Sequence, residues 1–202
     1  MTRARHAIDR FCPAWPAWLA VAVILAPFAV AQGRERGQRG ETPPLVTVPD
    51  VDLGRYMGVW YEVSRYPNTF QKGLVGVTAE YRLQRNGKIA VTNRGFKEAL
   101  DGPVKQSRAT GWLAKPEDST IWKVQFFWPF KADYWIIDLC SDYQFAVVGQ
   151  PSRKYLWVLS RTPSLPDEVY RKILNRLEKK GYDSSRLVRT QQPAVSDAEQ
   201  ST

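Results

Sequence analysis

From Trp60 onward, apolar and polar positions alternate with a period of two, and turn signals interrupt them at short intervals. The segment LVGVTAEYRL sets Val75, Val77, Ala79, Tyr81 and Leu83 on one face. Gly76, Thr78, Glu80 and Arg82 fall on the other. The pattern predicts strands over 60–66, 74–83, 88–97, 106–113, 120–128, 134–139, 145–150 and 155–161. Asn86-Gly87 marks a tight hairpin, because both residues tolerate positive φ. Looser turns follow at Asp101-Gly102-Pro103 and Pro116-Glu117-Asp118-Ser119, and Pro129 ends the fifth strand.

After residue 161 the period changes. Val169, Ile173, Leu174 and Leu177 share one helical face, and Arg171, Lys172, Arg176, Lys179 and Lys180 lie elsewhere. Ser164 is the expected N-cap, Pro166 suits the first turn and Gly181 suits the end. The apolar stripe is expected to pack on the outside of a sheet, and 186–192 to add a short closing strand. Eight sequential antiparallel strands remove their edges by closing into a barrel, whose interior holds packed side chains or one small ligand. Polar faces such as Thr78, Glu80, Arg82, Lys123 and Gln125 belong outside, which argues against a membrane-spanning barrel. The fold class is therefore all-β: an eight-stranded up-and-down barrel with one C-terminal helix against its outer wall.

The N-terminus reads differently. Arg3, Arg5 and Arg10 precede an uncharged run over 17–31 that ends Ala29-Val30-Ala31. A basic start, a short apolar run and small residues at −3 and −1 predict a cleaved secretory signal over 1–31. The run falls short of the roughly 20 residues a membrane helix needs. Residues 32–49 read as a flexible linker, 50–192 as the folded domain and 193–202 as a disordered tail. The expected product starts at Gln32 and is soluble in the periplasm or outside the cell, with outer-membrane association left open.

Cleavage would lower the formal net charge from +9 to +7 and remove His6, the only histidine. A Ser-His-Asp triad, a histidine-ligated zinc and an imidazole base are then excluded. One cysteine, Cys140, would remain, without a base beside it, and it reads as a structural thiol. Glu117 and Asp118 are paired carboxylates, but turns often carry such pairs. The basic residues are scattered rather than clustered, so no nucleic-acid surface is expected.

Several motifs are family marks. Gly58-Val59-Trp60-Tyr61 resembles the G-x-W-Y signature of lipocalins. Asp142-Tyr143 after the sixth strand resembles the second lipocalin signature. Arg161 after the eighth resembles the third, the arginine that in the family packs over the signature tryptophan. The strings YMGVWYEVSRYPNTFQKG, FFWPF and YLWVLSRTPSLPDEVY resemble bacterial lipocalins of the apolipoprotein D-like subgroup, over roughly residues 50–192. The chain lacks the acylation site of the lipoprotein members and the disulfides of the animal ones. Enzymatic lipocalins use a cysteine inside the barrel. Cys140 stands at a strand end, so the resemblance implies no catalysis.

The resemblance also implies that the barrel end carrying loops 67–73, 98–105, 129–133 and 150–154 is open. Val77, Phe96, Phe126, Tyr134 and Trp157 are expected to face the cavity, with Trp157 matching a pocket tryptophan of the subgroup. Phe70, Trp128, Phe130 and Lys131 are expected at the mouth, Lys131 as the head-group contact. Gly58, Trp60, Asp142, Tyr143 and Arg161 are expected to be structural. The function implied is binding, storage or transport of a fatty acid or lysophospholipid in cell-envelope lipid maintenance, without metal or cofactor. Contact with a membrane surface and a homodimer stay open, as do a periplasmic enzyme and a structural or protein-binding barrel.

Overall fold

The computed structural model describes residues 42–194. Strands β1 (Gly58–Arg65), β2 (Leu74–Leu83), β3 (Ile89–Lys97), β4 (Val104–Lys115), β5 (Asp118–Phe127), β6 (Phe130–Leu139), β7 (Phe145–Gly149) and β8 (Leu156–Ser160) follow in chain order. Each pairs antiparallel with the next, and β1 pairs with both β8 and β2, which closes the barrel. The two-residue strand β9 (Val188–Arg189) adds to the outside of β1. Helix α2 (Asp167–Lys179) lies against the outer wall, and a single turn, α1 (Leu53–Tyr56), precedes β1. The expected cleavage site, residues 32–41 of the expected linker and residues 195–202 of the expected tail lie outside the described residues.

Alternation sorts the side chains into two cores. Trp60, Ala79, Tyr81, Ile89, Val91, Trp122, Val124, Ile136, Val148 and Leu159 fill the interior. Val63, Ile137, Val147, Leu156 and Val158 point outward and meet Tyr170, Ile173 and Leu177 of α2. Burying Ile173 and Leu177 contributes about 2 kcal/mol each. Tyr170, absent from the expected stripe, donates to Ser64 Oγ at 2.9 Å. Arg176 pairs with Asp138 of β6 at 2.6 Å.

Three local expectations are corrected. Ser164 does not cap α2: Pro166 is the N-cap residue, with no side-chain hydrogen bond. A residue preceding proline avoids helical backbone, so Leu165 keeps the helix from starting earlier. Lys131 to Asp133 are not loop. The ladder resumes at Phe130, and Lys123 pairs with Asp133 at 2.5 Å across β5 and β6. Residues 42–49 are irregular, yet the barrel holds them: Val48 donates its N–H to the Ile136 carbonyl at 3.0 Å, and Lys180 donates to the Val46 carbonyl at 3.1 Å.

Candidate functional site

One end of the barrel is sealed. Gly58 has φ +96°, a left-handed backbone that suits glycine, and a Cβ there would lie 3.4 Å from Arg161 Nη1. Chain reversal between α1 and β1 turns several carbonyls toward one point. Arg161 occupies it, donating to Arg55, Val59 and Met57 oxygens at 2.7, 2.8 and 2.9 Å. Its guanidinium carbon lies 3.8 Å from the centre of a Trp60 ring, and Trp60 Nε1 donates to the Tyr56 carbonyl at 2.8 Å. Tyr143 has φ +61°, and its hydroxyl accepts from the Asp52 N–H at 2.8 Å. Arg55 stacks over the Tyr143 ring at 4.1 Å. Asp142 accepts from the Cys140 thiol at 2.5 Å, which holds its carboxyl below the usual range. Gly58, Trp60, Asp142, Tyr143 and Arg161 thus all stand at or beside this closed base.

Above the base lies an aromatic floor. Tyr134 donates to Tyr81 at 2.9 Å and shares a 2.8 Å hydrogen bond with Tyr56. The Trp122 ring stacks on Tyr134 at 5.0 Å. Burial pushes the Tyr56 and Tyr134 hydroxyls well above the usual phenol value and Tyr81 up to about 12, so all three stay neutral donors at physiological pH. Tyr134 does face the interior, as part of this floor.

The upper half is a cup. Ala109 and Val124 are its deepest apolar ring. Beyond them the inward positions Ser107, Phe126 and Ala132 are exposed, so solvent reaches the inner wall. Phe126 lies inward because its neighbour Gln125 pairs with outward-facing Thr110. Val77, buried, continues the inward face of Ala79 and Tyr81. Trp157, opposite Val148, closes the far side.

A polar knot sits at the top of the β1 wall. Glu62 is 2% exposed and accepts from Arg65 at 2.5 Å, Gln71 Nε2 at 2.6 Å and the Thr190 hydroxyl at 2.6 Å. Arg65 also donates to the Gln71 and Leu74 carbonyls at 3.0 and 3.3 Å. Gln71 Oε1 accepts from Trp157 Nε1 at 2.9 Å and from Asn68 at 2.8 Å. Gln192 enters the gap where β1 and β2 part, donating to the Glu62 and Val77 carbonyls at 2.9 and 2.8 Å. The knot clasps loop 67–73 over the cup, and Phe70 of that loop lies 5.7 Å from the Tyr155 ring. Glu62 shares a face with Trp60, which was its one trace in the sequence; its partners come from distant segments.

Two expected site residues point elsewhere. Phe96 is on the outer face of β3, since Ile89 and Val91 point inward and the β3–β4 register is unbroken. Its ring lies over Gly76, 2.8 Å from where a Cβ would stand, with Arg94 beside it. Lys131 also points outward, its ammonium 5.8 Å from the centre of a Trp112 ring on the outer wall. At the inner rim stands Lys105, which donates to the Phe70 carbonyl at 3.3 Å. Trp128 and Phe130 stand at the open end, 84% and 67% exposed. Asp118 of the carboxylate pair accepts from the Thr120 N–H and hydroxyl at 2.9 and 2.6 Å, a turn-stabilising arrangement that lowers its pKa.

A base closed by arginine over tryptophan and a lidded, solvent-reached cup define a cup-shaped up-and-down β-barrel. Comparison with known proteins carries this to the level of family. Residues 51–192 match the lipocalin-like domain, and the chain belongs to the lipocalin family. It is 38% identical to the outer membrane lipoprotein Blc of Escherichia coli K12 over 154 residues, spanning 75% of this chain and 86% of that protein. It is 30% identical to apolipoprotein D of Macaca fascicularis over 175 residues, spanning 82% and 89%. Among solved structures, insecticyanin from the tobacco hornworm Manduca sexta superposes with a TM-score of 0.59 at 21% identity, over 79% of this chain and 88% of that one. No described helix is long and apolar enough to cross a membrane.

Proposed function

We propose that the protein carries a single-chain amphiphile, a fatty acid or lysophospholipid, with its tail in the upper cup, as part of cell-envelope lipid maintenance. Lipocalin membership supports a small hydrophobic ligand, and the Blc relatives are named outer membrane lipoproteins. The observation that carries the reading is the inner wall itself: above a sealed floor, buried Val77 and Val124 lead up to half-buried Trp157 and exposed Phe126, all of them apolar. Such a wall lacks the polar lattice that a sugar or nucleotide needs. Burying about ten methylenes at roughly 0.8 kcal/mol each gives about 8 kcal/mol before ordering costs, which is compatible with micromolar binding. Lys105, at the inner rim, is the cation that meets an anionic head group.

The test is tryptophan fluorescence titration with a fatty acid and the matching alcohol, in wild type, Trp157→Ala and Lys131→Ala. Wild type is expected to bind the acid more tightly than the alcohol, and Trp157→Ala to bind roughly tenfold more weakly, about 1.4 kcal/mol. Lys131→Ala is expected to match wild type. No binding of either ligand would refute the carrier reading, and equal affinities would remove the anionic head.

A further inference from the structure

The open end of the barrel carries a surface that the cup does not account for. Among the described residues, every exposed phenylalanine and tryptophan is at this end: Phe70, Phe126, Phe127, Trp128 and Phe130. The other exposed large hydrophobics are aliphatic: Val104 and, beside Arg65, Val188 toward this end, and Val46, Val59 and Leu83 elsewhere. Phe127 pairs with Phe130 across β5 and β6, their rings 5.4 Å apart, so Trp128 and Pro129 form the tip of a projecting hairpin. Phe127, Trp128 and Phe130 are 67%, 84% and 67% exposed. Side chains of that size left together in water mark an interaction site.

The charge around the mouth is not neutral. Lys72 of the lid, Lys97 at the end of β3 and Lys105 border a hollow of about 220 Å³, with Glu98 the one acid among its lining residues. Lys131 flanks the aromatic tip, and Asp133 beside it is already paired with Lys123.

We propose that this end docks on an anionic lipid surface, the 127–130 tip entering the interface and Lys72, Lys97 and Lys131 meeting the head groups. Tryptophan and phenylalanine on a hairpin suit the headgroup boundary, and lysines near an anionic leaflet are attracted within a screening length. The surface runs directly into the cup through Phe126, so a docked mouth would pass an acyl chain without exposing it to bulk water. A second copy of the chain fits less well, because symmetric pairing at this end would bring the same lysines face to face. The direction of transfer rests on the carrier function proposed above; the docking does not.

The experiment is flotation of the protein with phosphatidylethanolamine–phosphatidylglycerol vesicles, and with phosphatidylcholine vesicles, at low and high salt. Wild type is expected to float with the anionic vesicles and to be released by salt. Phe127→Ser with Trp128→Ser should weaken partitioning roughly tenfold. Lys72→Glu with Lys97→Glu should weaken it by about fivefold per site or more. All variants share the wild-type N-terminus, so differences report the mouth alone, and thermal melts verify that each remains folded. Absence of wild-type flotation, or equal flotation of all variants, overturns the proposal. So does a dimer in sedimentation velocity that Phe127→Ser with Trp128→Ser dissociates and that ignores vesicles. Fatty acid titration of wild type without vesicles tests the carrier function separately.

Discussion

Replacing Arg161 by alanine should cost stability without emptying the cup. The Trp60 contact is desolvated on the ring side, and its cation–π attraction is worth about 1.5 kcal/mol. The Arg55 and Val59 carbonyls are at the exposed rim and regain water, so their lost bonds count for little. The Met57 carbonyl is half-buried, and its lost charge-assisted bond costs about 1 kcal/mol. Tyr56 O keeps its bond from Trp60 Nε1. Lost packing of the arginine stem adds about 0.5 kcal/mol, giving roughly 3 kcal/mol. With a urea dependence of about 2 kcal/mol per molar, the unfolding midpoint should fall by about 1.5 M. Arg161→Lys should lose about half as much, since one ammonium cannot reach all the carbonyls that a planar guanidinium spans. Fatty acid affinity at low denaturant should be unchanged in both variants. An unchanged midpoint for Arg161→Ala would refute the account of the base, and a normal midpoint with lost affinity would place Arg161 in the cup.

Two other outcomes follow from the interior. Gln71→Ala removes the bonds to Glu62, Trp157 and Asn68 that clasp the lid; at about 1 kcal/mol net for each of two of them, ligand release in stopped-flow displacement should quicken by about tenfold or more, and an unchanged rate would deny the loop a gating role. Urea melts between pH 8 and 12 test the floor: burial pushes the Tyr81 hydroxyl up to about 12 in the fold, above the ordinary phenol value of about 10 in the unfolded chain, so the unfolded chain releases its proton first, and stability should hold below pH 10 and fall above it.

The barrel was legible because a two-residue period survives whatever the strands pack against. β2 was expected at 74–83 and lies there, and the Gly58, Trp60 and Arg161 signatures form the base the resemblance implied. Phe96 went wrong because its aromaticity outweighed its parity: it is odd-numbered steps from Ile89 and Val91, and the pattern already set it outward. Lys131 went wrong because Pro129 was expected to break the ladder for several residues, whereas the turn is tight and pairing resumes at Phe130. The α1 turn is four residues long, too short to show a period. The knot left no local mark, since Glu62 meets Thr190 across 128 positions.

The placement of polar groups inside an apolar barrel follows from what each end has to do. Glu62 and Arg65 are costly to bury, and they are tolerated because each finds several partners. An apolar clasp on the lid would compete with a small hydrophobic ligand for the same wall. A hydrogen-bonded clasp does not, and its bonds are individually weak enough in net terms to break and re-form. The floor uses the opposite arrangement. Its tyrosine hydroxyls satisfy one another, so nothing there depends on a guest in the cup. The base leans on carbonyls of α1 and β1, those of Arg55 and Val59, that lie beyond that floor. Stability is thus concentrated where the barrel is sealed, and the contacts that have to open are concentrated at the mouth, beside the exposed aromatic tip.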